Sequence, residues 1–161
     1  MDLQLTGKRA LVCGGSSGLG RAVATALVAE GAHVALLSRD AAKLQVVADE
    51  LNAMGPGKAV IAPADLADHE ALLKAVDVAE AGLGGPIQIL LNNTGGPPPS
   101  GVAGLDPALW REQFDAMVLS VFRLTDRVMP GMRSMGWGRV LNVASTSVVE
   151  PIGTLGVSNT L

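Results

Sequence analysis

Cys13-Gly14-Gly15-Ser16-Ser17-Gly18-Leu19-Gly20 is the stretch that decides the fold. It follows a short apolar run, Arg9 to Cys13, and precedes a segment in which Leu19, Val23 and Leu27 recur at helical spacing. The order is therefore strand, glycine turn, helix. Glycines let a backbone approach a ligand closely, and the free amides at the positive end of a helix are donors for an anion. Tight turns also need glycine, so the flanking strand and helix are what give the stretch its meaning.

Outward from there the pattern repeats. Gly31 closes the first helix and His33 to Leu37 forms a second apolar run, ending at Ser38, Arg39 and Asp40. Asp40 suits an N-cap, and Leu44, Val47, Leu51 and Met54 put one stripe toward a core before the Gly55-Pro56-Gly57 break. Ala59 to Ala62 supplies a third strand. Asp68 caps a third helix whose Leu72, Val76 and Ala79 share a face until the turn at Gly82 to Pro86. Ile87 to Leu91 makes a fourth strand, and Gly95 to Gly101 is a proline and glycine loop. Asp106 and Pro107 start a long helix on which Trp110, Phe114, Val118 and Val121 run at helical spacing and which Pro130 bends or ends. Val140 to Ala144 is expected as a fifth, buried strand.

Strands that alternate with helices and are continuously apolar imply a parallel sheet covered on both faces. Right-handed crossovers then make the expected fold a doubly wound α/β sheet, Rossmann-like, of about five strands in a single domain over residues 1–161. No internal repeat or low-complexity tract interrupts it.

Composition agrees with a globular chain: 48% hydrophobic, 17% charged, with a mean hydropathy of +0.37. A net charge of −3, without clustered cations, disfavours nucleic acid. The lone Cys13 rules out an internal disulfide and a Cys-rich metal site, and two histidines leave little for a transition metal, so no metal site is expected. Residues Met1 to Arg9 lack a leading apolar stretch, and no apolar run approaches the roughly 20 residues of a membrane span. The expected setting is cytoplasmic, with no membrane partner.

The spacing of Gly14, Gly18 and Gly20 resembles the cofactor fingerprint of the short-chain dehydrogenase/reductase family, with Cys13 where a threonine usually stands. Asn92, Asn93, Thr94 and Gly95 resemble that family's Asn-Asn-Ala-Gly motif, and Asp65-Leu66 resembles its adenine-contacting pair. The resemblance implies an NADP(H)-dependent oxidoreductase acting on a small carbonyl or alcohol substrate, similar to 3-oxoacyl-acyl-carrier-protein reductases. It implies that Gly14, Ser16, Ser17, Gly18, Leu19 and Gly20 hold the pyrophosphate, Asp65 and Leu66 the adenine, and Asn92, Asn93 and Gly95 the nicotinamide side. At the end of the second strand, NAD-selective members carry an acid. Here Ser38 stands there with Arg39 after it, and a guanidinium can pair with a 2′-phosphate.

The family's catalytic set is a serine, a tyrosine, a lysine and usually an asparagine. Ser145, in Asn142-Val143-Ala144-Ser145, matches the serine. The tyrosine position falls on Ser158, and the chain contains no tyrosine. A phenol of pKa about 10 can exchange a proton near neutral pH when a lysine assists it, whereas an aliphatic hydroxyl is a far weaker acid. The lysine position falls just beyond Leu161, and the asparagine position falls on Met117 or Val118. Ser145 and Ser158 are the candidate catalytic positions. The resemblance covers about two thirds of a family domain, the remainder of which would carry two more strands and the helices through which members associate as homo-oligomers. A catalytically silent NADP(H)-binding or interaction protein is the alternative, and a sugar-nucleotide epimerase or dehydratase ranks behind it.

Overall fold

The computed structural model describes residues 1–161 and forms one parallel sheet of five strands in the order β3-β2-β1-β4-β5. The strands are β1 (Arg9–Cys13), β2 (His33–Leu37), β3 (Ala59–Ile61), β4 (Ile89–Asn92) and β5 (Arg139–Asn142). Ala10 stands beside Val34 of β2 on one side and Ile89 of β4 on the other. The chain thus winds outward in one direction from β1 to β3, then returns to start again at β4. The reversal lies between β1 and β4, the switch point outside which open α/β sheets bind ligands.

Helices α1 (Gly18–Ala29), α2 (Ala41–Met54) and α3 (His69–Leu83) connect these strands. One apolar layer joins Leu11, Leu37, Leu90, Val76 and Leu124, and the other joins Val12, Leu36, Val28, Leu44 and Leu51 on the opposite face. Asp40 and Asp68 cap α2 and α3 as expected, each carboxylate accepting from the amide of the third residue on, Lys43 and Ala71 respectively.

On α1 the buried face is Gly20, Ala24 and Val28, rotated from the expected Leu19, Val23 and Leu27, and Leu19 is 66% exposed. The helix lies so close to the loop after β1 that only its small residues fit the contact. Met54 likewise ends α2 exposed instead of extending its apolar stripe.

The expected single long helix is three pieces: α4 (Pro107–Phe114), a π-helical turn over Asp115–Leu119, and α5 (Ser120–Ser134). Ser120 donates to the carbonyl of Ala116 at 2.6 Å inside this turn, the kind of back-bonding that bends helices. Each extra residue in a turn shifts the helical phase of the residues after it. The buried stripe is accordingly Ser120, Leu124, Val128 and Met132, not Trp110, Phe114, Val118 and Val121. Pro130 does not end α5, because Met132, shortly beyond it, is anchored in the core.

The largest correction concerns the fifth strand. β5 is an edge strand paired only with β4, and Leu141 and Val143 are 48% and 41% exposed. A continuously apolar strand is expected to be covered on both faces. Here only the Val140 side packs against the core, so the strand is not buried. A 3₁₀ turn (Thr146–Val148) and a short helix α6 (Gly156–Thr160) come after it.

Candidate active site

Two adjoining cavities open at the C-terminal ends of the strands. The first, about 660 Å³, is ringed by the glycine loop, the ends of β2 and β3 and the loop after β4. It brings together Gly14, Ser16, Ser17, Gly18, Leu19, Ser38, Arg39, Asp65, Leu66, Asn93 and Gly95, all expected from the sequence. The second, about 270 Å³, lies toward β5 and holds Asn92, Ser145 and Ser158. Thr94 and Gly95 line both and so form the passage between them.

The glycine loop is built for close approach. Gly14 has φ +67, and a Cβ there would come within 2.7 Å of the Asn93 side-chain nitrogen. Gly20 does not line the cavity. A Cβ on it would fall 2.6 Å from the Gly14 carbonyl carbon, so this glycine lets the start of α1 press against the loop. Ser17 is the N-cap of α1 in extended conformation, with no side-chain cap bond. The first amides of the helix therefore keep no internal acceptor, which is the arrangement that receives an anion. Cys13, beneath the loop, is fully buried, and burial pushes its thiol up to about 12 while the Asn93 amide pulls the other way. It is a packing residue with no thiolate at neutral pH.

At the end of β2, Ser38 Oγ is buried with no hydrogen-bond partner. Arg39 is exposed and is absent from every ion pair of the structure. Asp40 does not neutralise it: its carboxylate accepts from the Lys43 amide at 3.0 Å and faces the Lys43 ammonium at 3.5 Å. The Lys43 amide, and secondarily its charge, hold Asp40 below the usual carboxylate range. The guanidinium is thus left free at the rim. Asp65 has its own local bond, accepting from the Ala67 amide at 3.0 Å.

Asn92 sits apart from the first cavity. Its Nδ2 donates to Asn142 Oδ1 at 2.8 Å, tying β4 to β5, and its own Oδ1 is buried without a partner. Ser145 caps the 3₁₀ turn after β5, accepting from the Ser147 amide at 3.1 Å. Met117 and Val118, in the π-helical turn, face the same cavity with Val121 and Phe122. No side chain lining this second cavity is ionisable.

Pro97 and Pro98, which also line the first cavity, belong to the Gly95 to Gly101 loop read from the sequence, whereas sequence reasoning missed Glu112, Gln113 and Ala116, which close it from the α4 side. No motif marked them; only the fold brings α4 over the glycine loop. No cluster of His, Cys, Asp and Glu able to hold a metal is present, and no helix is long and apolar enough to cross a membrane.

A doubly wound sheet with an uncapped helix start and a glycine cradle at its switch point defines an open α/β protein of the class that seats its ligands at that switch point. Residues 8–157 match the short chain dehydrogenase family, and the chain belongs to it. A short chain dehydrogenase of Pseudocercospora fijiensis is 38% identical over 152 residues, covering 92% of this chain and 48% of its own. Among solved structures, L-sorbose reductase from Gluconobacter frateurii, complexed with NADPH and L-sorbose, superposes with a TM-score of 0.94 at 29% identity, covering 99% of this chain and 60% of that one. A 3-oxoacyl (acyl-carrier-protein) reductase from Agrobacterium tumefaciens with NADP bound gives 0.86 at 27% identity, covering 97% and 59%. The chain spans about half to three fifths of the length of these proteins.

Proposed function

We propose that the chain binds NADP(H) in the first cavity and presents it to a small carbonyl or alcohol in the second, as an oxidoreductase resembling 3-oxoacyl thioester reductases. The observation that carries this reading is the rim of the first cavity, where a free Arg39 stands beside the orphaned Ser38 hydroxyl. A buried hydroxyl without a partner is costly, and a ribose or phosphate oxygen would supply the missing bond. The amides of Gly18 and Leu19 would hold the pyrophosphate, Asp65 and Leu66 the adenosine end, and Asn93 and Gly95 the nicotinamide end. The bound cofactor supplies the hydride. Ser145 would polarise the substrate oxygen. NADPH in the sorbose reductase and NADP in the 3-oxoacyl reductase support the choice of cofactor.

A second reading, cofactor binding without turnover, draws on the second cavity. Ser158 stands where a phenol would serve as acid, Met117 and Val118 cannot hold a relay water, and nothing else there titrates. We therefore expect negligible carbonyl reduction by these 161 residues alone.

Titration with NADPH and NADH, before and after Arg39→Ala, tests the cofactor assignment. Loss of one charge-assisted contact weakens NADPH about tenfold to a hundredfold and leaves NADH nearly unchanged. Equal losses would overturn it. Consumption of NADPH with a panel of 3-oxo thioesters and ketones separates the two readings. Turnover on the order of 1 to 1,000 per second would eliminate the silent one and require another acid.

A further inference from the structure

We infer that Ser147 is a positioning residue that fixes Ser145 as a hydrogen-bond donor toward the second cavity, so that the ligand atom seated against Ser145 must be an acceptor such as a ketone or aldehyde oxygen. This rests on the reading of the second cavity as the substrate's place.

A serine hydroxyl has one hydrogen and accepts at two lone pairs. Ser145 Oγ receives the Ser147 amide at 3.1 Å and the Ser147 hydroxyl at 3.0 Å. Both acceptor positions are filled from one side, by the 3₁₀ turn that Ser145 itself caps. The Ser145 hydrogen remains, and the open side of Ser145 is the cavity it lines.

The direction of the bond between the two hydroxyls is set by burial. Ser147 is only 2% exposed, and the Ser145 oxygen is the sole partner of its hydroxyl. If Ser145 donated to Ser147, the Ser147 hydrogen would be left buried with nothing to meet it, and buried donors are almost always satisfied. Donation from Ser147 to Ser145 avoids that cost and leaves Ser145 free to donate outward. Ser158 shares the cavity but has no hydrogen bond, so its hydroxyl turns freely and imposes no polarity. Ser145 cannot act as a base or accept from an ammonium without giving up one of two bonds already made. The second cavity therefore discriminates by the polarity of one hydroxyl, and Ser147, which touches no substrate, sets that polarity.

The test uses the 161-residue chain saturated with NADPH and two probes of one shape, cyclohexanone labelled with carbon-13 at the carbonyl, and cyclohexylammonium. The unmodified chain should prefer the ketone and move its carbonyl resonance downfield, the signature of a donated hydrogen bond. Ser147→Ala opens one acceptor position on Ser145 and leaves its hydrogen in place, so it should strengthen cyclohexylammonium about threefold to tenfold, the worth of one neutral hydrogen bond. It should keep the downfield shift of the ketone while narrowing the preference over the ammonium, with NADPH affinity unchanged. Ser147→Cys keeps the packing but donates weakly, so it should reproduce the gain in ammonium binding even if the alanine variant folds poorly, whereas Ser147→Thr should retain the original preference. Should Ser145→Ala weaken the ketone while Ser147→Ala and Ser147→Cys leave the ammonium as weakly bound as in the unmodified chain, the inference is overturned and the substrate reading stands. If Ser145→Ala has no effect, or the unmodified chain takes neither probe, the substrate reading fails and the inference falls with it.

Discussion

Gly20→Ala should separate cofactor binding from folding. A Cβ at position 20 would lie 2.6 Å from the Gly14 carbonyl carbon and 2.8 Å from the Cys13 carbonyl oxygen, both backbone atoms that no rotamer can move. Carbon contacts become favourable at about 3.5 Å, so the start of α1 must retreat by about 1 Å. Overpacking of this kind costs about 1 to 3 kcal/mol. For a chain of this size each kcal/mol lowers the melting temperature by about 2 to 4 °C, so a fall of about 4 to 8 °C is the central expectation. The protein remains folded at room temperature. Binding suffers more, because the same retreat carries the amides of Gly18 and Leu19 away from the pyrophosphate. Two charge-assisted bonds stretched by about 1 Å lose most of their strength, about 1.5 to 3 kcal/mol each, which corresponds to at least about a hundredfold in NADPH affinity. Gly101→Ala is the control, since that position has an ordinary φ and open space around its Cβ. Calorimetry and fluorescence titration read the two effects independently. An alanine at position 20 that leaves both NADPH affinity and melting temperature at their original values would refute the claim that this glycine sets the approach of α1 to the loop.

Two other outcomes rest on local chemistry. Cys13 should resist alkylation in the folded chain and react once it is denatured, as thiol counting with and without guanidinium would show; rapid native labelling would mean the thiol is open to solvent. Its folded pKa lies above its ordinary value of 9.0, so the folded state holds the proton more tightly, and stability present below pH 9 should be lost progressively as pH rises toward about 12. Chemical denaturation across that range, compared with Cys13→Ala, isolates this contribution, and identical pH slopes for the two proteins would contradict it. Asp68→Ala removes the cap of α3 at its bond to the Ala71 amide, and should cost about 1 kcal/mol in urea unfolding with NADPH affinity unaffected.

How much of the fold and site was legible in the sequence depends on whether a signal was local. The strands β1 and β2 were readable to the residue, because each is an apolar run closed by glycine or serine. The caps Asp40, Asp68 and Asp106 were readable because capping is settled within three residues. The face of α1 was not. Periodicity ranks leucine and valine above glycine and alanine, whereas close packing at Gly20 selects the small residues. The α4 to α5 region failed for a geometric reason, since a π-helical turn breaks the very period on which the reading depended. The glycine loop, Ser38, Arg39 and Asp65 were found by motif, and the fold gathers them around one cavity. Glu112 and Gln113 come from a distant helix and carry no mark in the sequence. Ser147 was invisible for another reason: a serine two residues from a candidate gives no hint that it is buried and donating.

The exposed side of β5 leads to a prediction about association. Leu141 and Val143 are 48% and 41% exposed, and Val148 and Val149 in the turn after them are 71% and 86% exposed. Leu141 stands on the edge strand, where β5 has β4 as its only partner, and the three valines follow it in the chain. An unpaired strand edge beside contiguous apolar surface is the arrangement that templates pairing with another chain. Charged side chains are the usual guard of such an edge, and β5 carries only Arg139 at its start, with none over Val140, Leu141 and Asn142. The 161-residue chain should therefore show concentration-dependent light scattering and bind a dye for exposed apolar surface. A charge introduced at an exposed side chain, Val149→Lys, should lessen both without touching the core. NADPH should not abolish the association, because the first cavity lies across β4 from this edge. A chain that stays monomeric at high concentration with no excess dye binding would show that edge and turn are protected in solution, and that the exposure along β5 has no physical consequence.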